Sequence, residues 1–368
     1  MSSSSYISWT FSFYVAKRFF AGFLLILAAV SLIILLVDFV ELLRRTSSKD
    51  DVTLQLVLQM TVFKFPQALQ KVIPFAILFG SMLTLWRLTR ANELVAARTA
   101  GVSVWQFLAP AIIVAVLMGL VYVSALNPLG STMMLRYQQM NERYIKGRPE
   151  LFKISRSGMW LRQSGTEGQS VLHALTMTTR DMVLKGVTIY RYDAKNQFSG
   201  RLDAAEAHLV PGAWQLKNVL VTAPGQPSTR QSTYRLPTDW TPAKIKESFS
   251  KPETMSFWQL PAFIALLDRA GFTATRHRVY WYSLLAMPMM LAAMVLVAAC
   301  FSLRMARRGG VAILITGGIL FSFFLLFISD VILAFGLSDA IPAALAAWTP
   351  AAVTALIGMS ILLHLEEG

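Results

Sequence analysis

Apolar positions along this chain gather into two blocks, separated by a stretch with a different rhythm. Apolar runs cover 19–37, 58–85 and 104–126, and resume at 280–303, 311–335 and 341–363. A hydrocarbon core of about 30 Å needs about 20 residues of helix, so the pattern predicts six transmembrane helices. Lys17 and Arg18 precede the first run, as in a signal peptide. The run is too long for a signal-peptide core, and Asp38 closes it, so an uncleaved first helix is expected. The second run holds Lys64, Lys71, Pro66 and Pro74, and is predicted to be neither straight nor uniformly lipid-facing. The third is expected to end at Asn127-Pro128. Pro288 and Pro350 predict kinks in the fourth and sixth.

Between the blocks, Trp214-Gln215-Leu216-Lys217 and Val187-Thr188-Ile189-Tyr190-Arg191 alternate apolar with polar. Turn signals punctuate the stretch at Ser164-Gly165, Lys195-Asn196, Pro211-Gly212 and Pro224-Gly225-Gln226-Pro227. Short strands so punctuated predict a sandwich or a jelly-roll-like domain. A helix over 256–270, stopped by Gly271, is expected to lead back to the membrane. The expected organisation is transmembrane helices one to three in 1–127, a β domain in 128–275 and helices four to six in 276–368.

Charge gives the direction. Lys17 and Arg18, then Arg87, Arg90 and Arg98, then Arg304, Arg307 and Arg308 fall in segments that six spans place on one side. Short loops rich in Lys and Arg stay cytoplasmic, so both termini are expected in the cytoplasm and the β domain outside. Trp281 and Tyr282 open the fourth span as an interfacial belt would. The insert is itself basic, with 19 Lys/Arg against 11 Asp/Glu in 128–275. For a chain held by six spans, that favours an anionic lipid or substrate over nucleic acid.

Little in the sequence points to catalysis. No G-x-x-x-x-G-K-[ST] loop exists to cradle ATP, and no H-E-x-x-H. His173, His208, His277 and His364 are scattered, and no cluster has metal-ligand spacing. Cys300, the single cysteine, lies in an apolar run and reads as a small hydrophobe. No cofactor or metal is expected.

Four sets of residues stand out. Asp38, Glu41, Arg44 and Arg45 cluster at the end of the first span, either as interfacial charges or as a rim holding an anionic substrate. Lys64 and Lys71 lie two turns apart on nearly one face of the second span, and Lys71 is the deeper. Either an aqueous cavity or ion pairing accounts for them. Asp330 lies in the outer part of the fifth span, read as an interhelical pair or an interfacial residue. Residues 88–102 form a helix-favouring connector between spans two and three, too short and charged to span. The connector is either an interfacial amphipathic segment or a docking helix for a cytoplasmic partner, with Glu93 its lone acid.

Three segments carry a resemblance. They are Asn92-Glu93-Leu94 through Ala100-Gly101-Val102-Ser103, Asp38-Phe39-Val40-Glu41-Leu42-Leu43-Arg44-Arg45-Thr46, and the Pro66–Pro74 spacing followed by an apolar run to Gly80. With the order of three spans, β domain and three spans, the chain resembles the lipopolysaccharide export permeases LptF and LptG, and leans towards LptG. The resemblance implies a bacterial inner-membrane permease half, not itself an enzyme, with a periplasmic β-jelly-roll. It implies pairing with an LptF-like half, drive from an LptB-like ATPase dimer, an LptC-like single-span companion and an LptA-like periplasmic bridge. Lipopolysaccharide would enter between the halves, at gates between span one of one and span five of the other. Arg44, Arg45, Lys64 and Lys71 would then hold the lipid head group, and Glu93, Arg98 and Gly101 would belong to the ATPase-coupling segment.

Two positions depart from the family pattern. LptG members tend to carry lysine where Asp38 stands, and lysine just after the first proline of span two, where this chain has Gln67. The rival readings are a permease for another amphiphile such as a lipoprotein, a polytopic membrane enzyme, and a membrane-anchored sensory module.

Overall fold

The computed structural model describes residues 9–47, 52–146, 152–155, 158–165, 168–178, 183–193, 197–238, 240–241, 251–269, 273–305 and 311–367. They fall into two compact units. One comprises Met1–Gln138, Glu253–Trp258 and Thr275–Gly368, the other Gln139–Pro252 and Gln259–Ala274.

Among the described residues, the first unit holds six helices long and apolar enough to cross a membrane. They begin with α1 (Trp9–Thr46) and α2 (Leu54–Arg90). A short α3 (Glu93–Thr99) joins these to α4 (Val104–Val121), which runs on into α5 (Asn127–Met140). The last three are taken up below as α7 to α9. Asp38 does not end the first helix, which continues two turns to Thr46 and carries the whole Asp38–Arg45 cluster in helical register. Nor does Asn127-Pro128 end the third. A π-helical turn at Tyr122–Leu126 absorbs the proline, with the Asn127 amide donating to the Tyr122 carbonyl. Pro128 has no N–H for the Ser124 carbonyl four residues back. The indole Nε1 of Trp258 donates to that carbonyl instead, at 3.2 Å.

Of the last three spans, α7 (Thr275–Met305) is the hub, packing against α2, α4, the fifth span α8 (Val311–Leu337) and the sixth span α9 (Ala343–Glu367). Its central stretch is 67% buried, against 11% for α1 and for α8. Leu291, Ala293, Met294, Val295, Ala298 and Ala299 face inward on most sides.

In the second unit, seven strands form one antiparallel sheet in chain order, β1 (Phe152–Ser155), β2 (Gly158–Gly165), β3 (Gly168–Thr178), β4 (Val183–Tyr192), β5 (Phe198–Val210), β6 (Ala213–Thr222) and β7 (Thr229–Pro237). Alternation puts Leu161, Leu172, Leu184, Ile189, Leu202, Trp214 and Leu216 on one face, all fully buried. A row of irregular positions bends the sheet. Gly186 (φ 62°) and Asn218 (φ 52°) are left-handed, and the second makes Lys217 and Asn218 both face out. The sheet rolls far enough for distant strands to meet. Arg191 of β4 donates to the Tyr234 hydroxyl of β7, and Gln163 of β2 bonds the Pro237 carbonyl and the Thr238 hydroxyl just past β7. The β-domain expectation therefore holds, and the closure is made by side chains rather than by a ladder. The expected helix over 256–270 is shorter, α6 (Leu260–Arg269), and packs Phe263, Ile264 and Leu267 on the sheet's apolar face.

Candidate functional site

Two places in the helical unit collect charged side chains, at opposite ends of α1. At the end where α1 begins, α2 stops at Arg90 and the chain turns sharply through Asn92 in the left-handed region (φ 58°). Two turns of α3 follow. Leu94 anchors them in a cluster with Val15, Leu85, Leu88, Val104 and Phe107. The far end of α3 is closed by a Schellman motif, in which Gly101 (φ 86°) donates to the Arg98 carbonyl and Val102 to the Ala97 carbonyl. The role the structure gives Gly101 is thus termination of α3, since an L side chain rarely adopts its φ. Ser103 and Gln106 then open α4 with a reciprocal capping box. Val95, Arg98 and Thr99 are exposed on α3.

Glu93 does not pair with Arg90. Its carboxylate accepts from the Tyr14 hydroxyl of α1, at 3.0 and 3.2 Å to the two oxygens. Arg18 Nε donates to the same hydroxyl at 3.1 Å, and its guanidinium stacks over the Tyr14 ring, 5.1 Å from the centroid. Just beyond, α1 and α2 touch backbone to backbone. A Cβ added at Gly80 would lie 2.7 Å from Phe23 Cα, and one at Gly22 would lie 2.9 Å from the Gly80 carbonyl oxygen. Small residues permit such close approach between membrane helices.

At the other end of α1, the four sequence-derived cations have different fates. Arg44 and Arg45 both pair with Glu41, at 3.0 and 2.7 Å, so this trio keeps one net positive charge. Lys64 of α2 pairs with Asp38 of α1 and is neutralised by it. Lys71 is exposed and has no ion-pair partner among the described residues. The structure therefore divides the pair that helical spacing put on one face. A fifth cation joins them, since Arg136 of α5 lies over the Phe63 ring, 5.9 Å from its centroid, one residue from Lys64. In the sequence it fell in the presumed insert, and only the unbroken α4–α5 helix brings it here. Asp330 is exposed on α8, with no ion pair among the described residues.

Between α2, the π turn and α7 lies a cavity of about 150 Å³ lined by Gln67, Gln70, Asn127, Glu253 and Tyr280 among others. Tyr280 donates to Gln70 at 3.0 Å, and Asn127 takes the Phe257 amide at 2.7 Å. Among the described residues, no group of three or more His, Cys, Asp or Glu side chains has metal-binding geometry.

The fold and these charged ends define a class, a six-span membrane protein interrupted by a rolled β domain. A family model described as Lipopolysaccharide export system permease LptF/LptG matches residues 13–364, and the chain belongs to that family. It is 24% identical over 319 residues to the lipopolysaccharide export system permease protein LptG of Escherichia coli strain K12, covering 83% of this chain and 84% of that one. The LptG protein of Escherichia coli O6:H1 aligns with the same identity and coverage.

Proposed function

We propose that this chain is the LptG-like half of an ATP-driven lipopolysaccharide exporter. It lies in the inner membrane with both termini cytoplasmic and the β domain periplasmic. The placement of Lys17, Arg18, Arg87, Arg90 and Arg98 towards one end of the bundle supports that orientation. An LptF-like half completes the permease, and an LptB-like ATPase dimer docks on α3. An LptC-like single-span protein accompanies them. Lipopolysaccharide enters between the halves and passes through the β domain to an LptA-like periplasmic bridge.

One observation carries the reading beyond family membership. The spans α1 and α8 are strongly apolar, yet only 11% of the central stretch of each is buried. A helix docked through a stripe of about 100° buries a larger share than that. These two helices leave most of their circumference for another protein or an acyl chain. At the end of α1 the Glu41–Arg44–Arg45 trio keeps one net positive charge, Arg136 and, deeper along α2, Lys71 add theirs, and arginine grips phosphate in a two-point fork. Among the described residues β7 ends the sheet, and the backbone groups of its outer edge other than the Pro237 carbonyl suit strand addition by a bridge of similar fold.

The test is purification of the tagged chain in mild detergent from cells that express its neighbours. A second permease-like subunit and a small ATPase are expected, with ATP-dependent release of lipopolysaccharide to an acceptor after reconstitution. Isolation of the chain alone, or transport of a different amphiphile, would overturn the reading.

A further inference from the structure

We propose that Tyr14 is the positioning residue that ties α1 to the coupling segment, so that α1 moves with α3 when the ATPase engages. The inference rests on the proposed docking of an ATPase at α3 and names how that docking reaches the span at the substrate entrance.

The chemistry of the contact supports a relay rather than a plug. A phenol has one proton to give, and an ionised carboxylate has about four acceptor positions. Tyr14 therefore occupies one position on Glu93 and leaves the rest for a cation supplied by a partner. Arg18 donates into the phenol oxygen, which polarises the hydroxyl towards Glu93 and strengthens the chain of bonds. The result is a continuous line from Arg18 through Tyr14 to Glu93, with open capacity at its α3 end. Glu93 itself is half-buried, and the exposed residues of α3 are Val95, Ala96, Arg98 and Thr99. A partner that lies along α3 meets Glu93 at its edge while Tyr14 holds it from the other side.

The rest of α1 is built as a lever would be. Val15, Phe19, Gly22 and Phe23 are buried near the Tyr14 end, where Gly22 and Gly80 bring α1 against α2. Beyond them Leu24, Leu25, Leu32, Ile33, Leu36 and Val37 are exposed. The helix is gripped over its first four turns; over the next five or so its outer face is exposed, and the Asp38–Lys64 pair ties its far part to α2. A small displacement at Tyr14 is carried along a stiff helix to the Asp38–Arg45 cluster. The α2–α3 turn through left-handed Asn92 is the short joint about which α3 pivots against α2. Leu94 and Val15 share an apolar cluster, which is non-directional, and the Tyr14–Glu93 bond adds the directional tie between α3 and α1.

Two substitutions separate the halves of the relay. Tyr14→Phe keeps the ring, its packing and the Arg18 stacking, and removes the hydroxyl. Glu93→Gln keeps an acceptor for Tyr14 and removes the charge offered to a partner. The assembled complex carrying each variant is reconstituted, and lipid delivered per ATP hydrolysed is measured. Spin labels on Leu36 of α1 and on an exposed position of α9 report the distance change on ATP and vanadate. Tyr14→Phe is expected to keep the ATPase bound, lower lipid delivered per ATP about tenfold, the worth of a hydrogen bond to a charged group, and diminish the distance change. Glu93→Gln is expected to weaken ATPase retention first. Unchanged delivery and an unchanged distance response in Tyr14→Phe, with the ATPase retained, overturn the relay alone. If the unmodified chain retains no ATPase, the docking reading falls, and the relay falls with it.

Discussion

The two ends of α1 are both rich in charge, and the chain treats them in opposite ways. At the first end, Tyr14 meets Glu93 on another helix with Arg18 behind it, and Val15, Phe19, Gly22 and Phe23 along one side of the helix are buried. At the second, Glu41 is satisfied by Arg44 and Arg45 of its own helix, both of them exposed, while Leu42 and Thr46 beside them are buried. Pairing across helices fixes one element against another. Pairing within a helix fixes nothing but the side chains themselves, and leaves their net charge available to a ligand. Lys64 with Asp38 is the exception at the second end, the one ion pair there among the described residues that joins α1 to α2.

The largest effect expected from breaking this contrast is at Gly80. Gly80→Leu puts a side chain where Phe23 backbone already lies, and forced separation of packed groups costs about 3 kcal/mol. Thermal unfolding of the detergent-solubilised protein, followed by size exclusion, should show the loss. Leu32→Ala, on the exposed stretch, should leave the midpoint nearly in place. Next comes Lys64. Its side chain is 29% exposed and that of Asp38 18%, so Lys64→Ala strands a part-buried carboxylate, at a cost of about 2 kcal/mol. Removing Asp38 as well should recover much of it. A double-mutant cycle with no coupling between the two would show that the pair does not join α1 to α2. The smallest stability effect is expected from Arg44→Ala combined with Arg45→Ala, because exposed pairs contribute little to folding. Its signature should appear instead as weaker retention of lipopolysaccharide. A folding defect in that double variant would mean that the second end is as structural as the first.

The candidate site was partly legible in advance. The Glu41, Arg44 and Arg45 trio lies within one turn, and helical spacing alone brings it together. Their spacing puts Lys64 and Lys71 on nearly one face of a helix, but the period says nothing of which finds an acid. Asp38 answered for Lys64, from a helix whose packing no spacing rule supplies. Arg136 was hidden by Pro128, which as a helix breaker argued for an end to the span. The π turn and the Trp258 indole supply what the proline lacks, and Trp258 lies 130 residues further along the chain.

What the sequence by itself determined is whatever depends on neighbours a few residues away. The six spans follow from runs of apolar residues matched to bilayer thickness, and the β strands from alternation. Tertiary structure alone decided the contacts that cross between elements. These are the grip of α2 on α1 at Gly22 and Gly80, the reach of Tyr14 to Glu93, 79 residues away, and the roll that brings β2 and β4 to β7. The physical reason is range. Local pattern sets the conformation of a segment, but its partner is chosen by complementary shape and charge, and those exist only once the segments have packed.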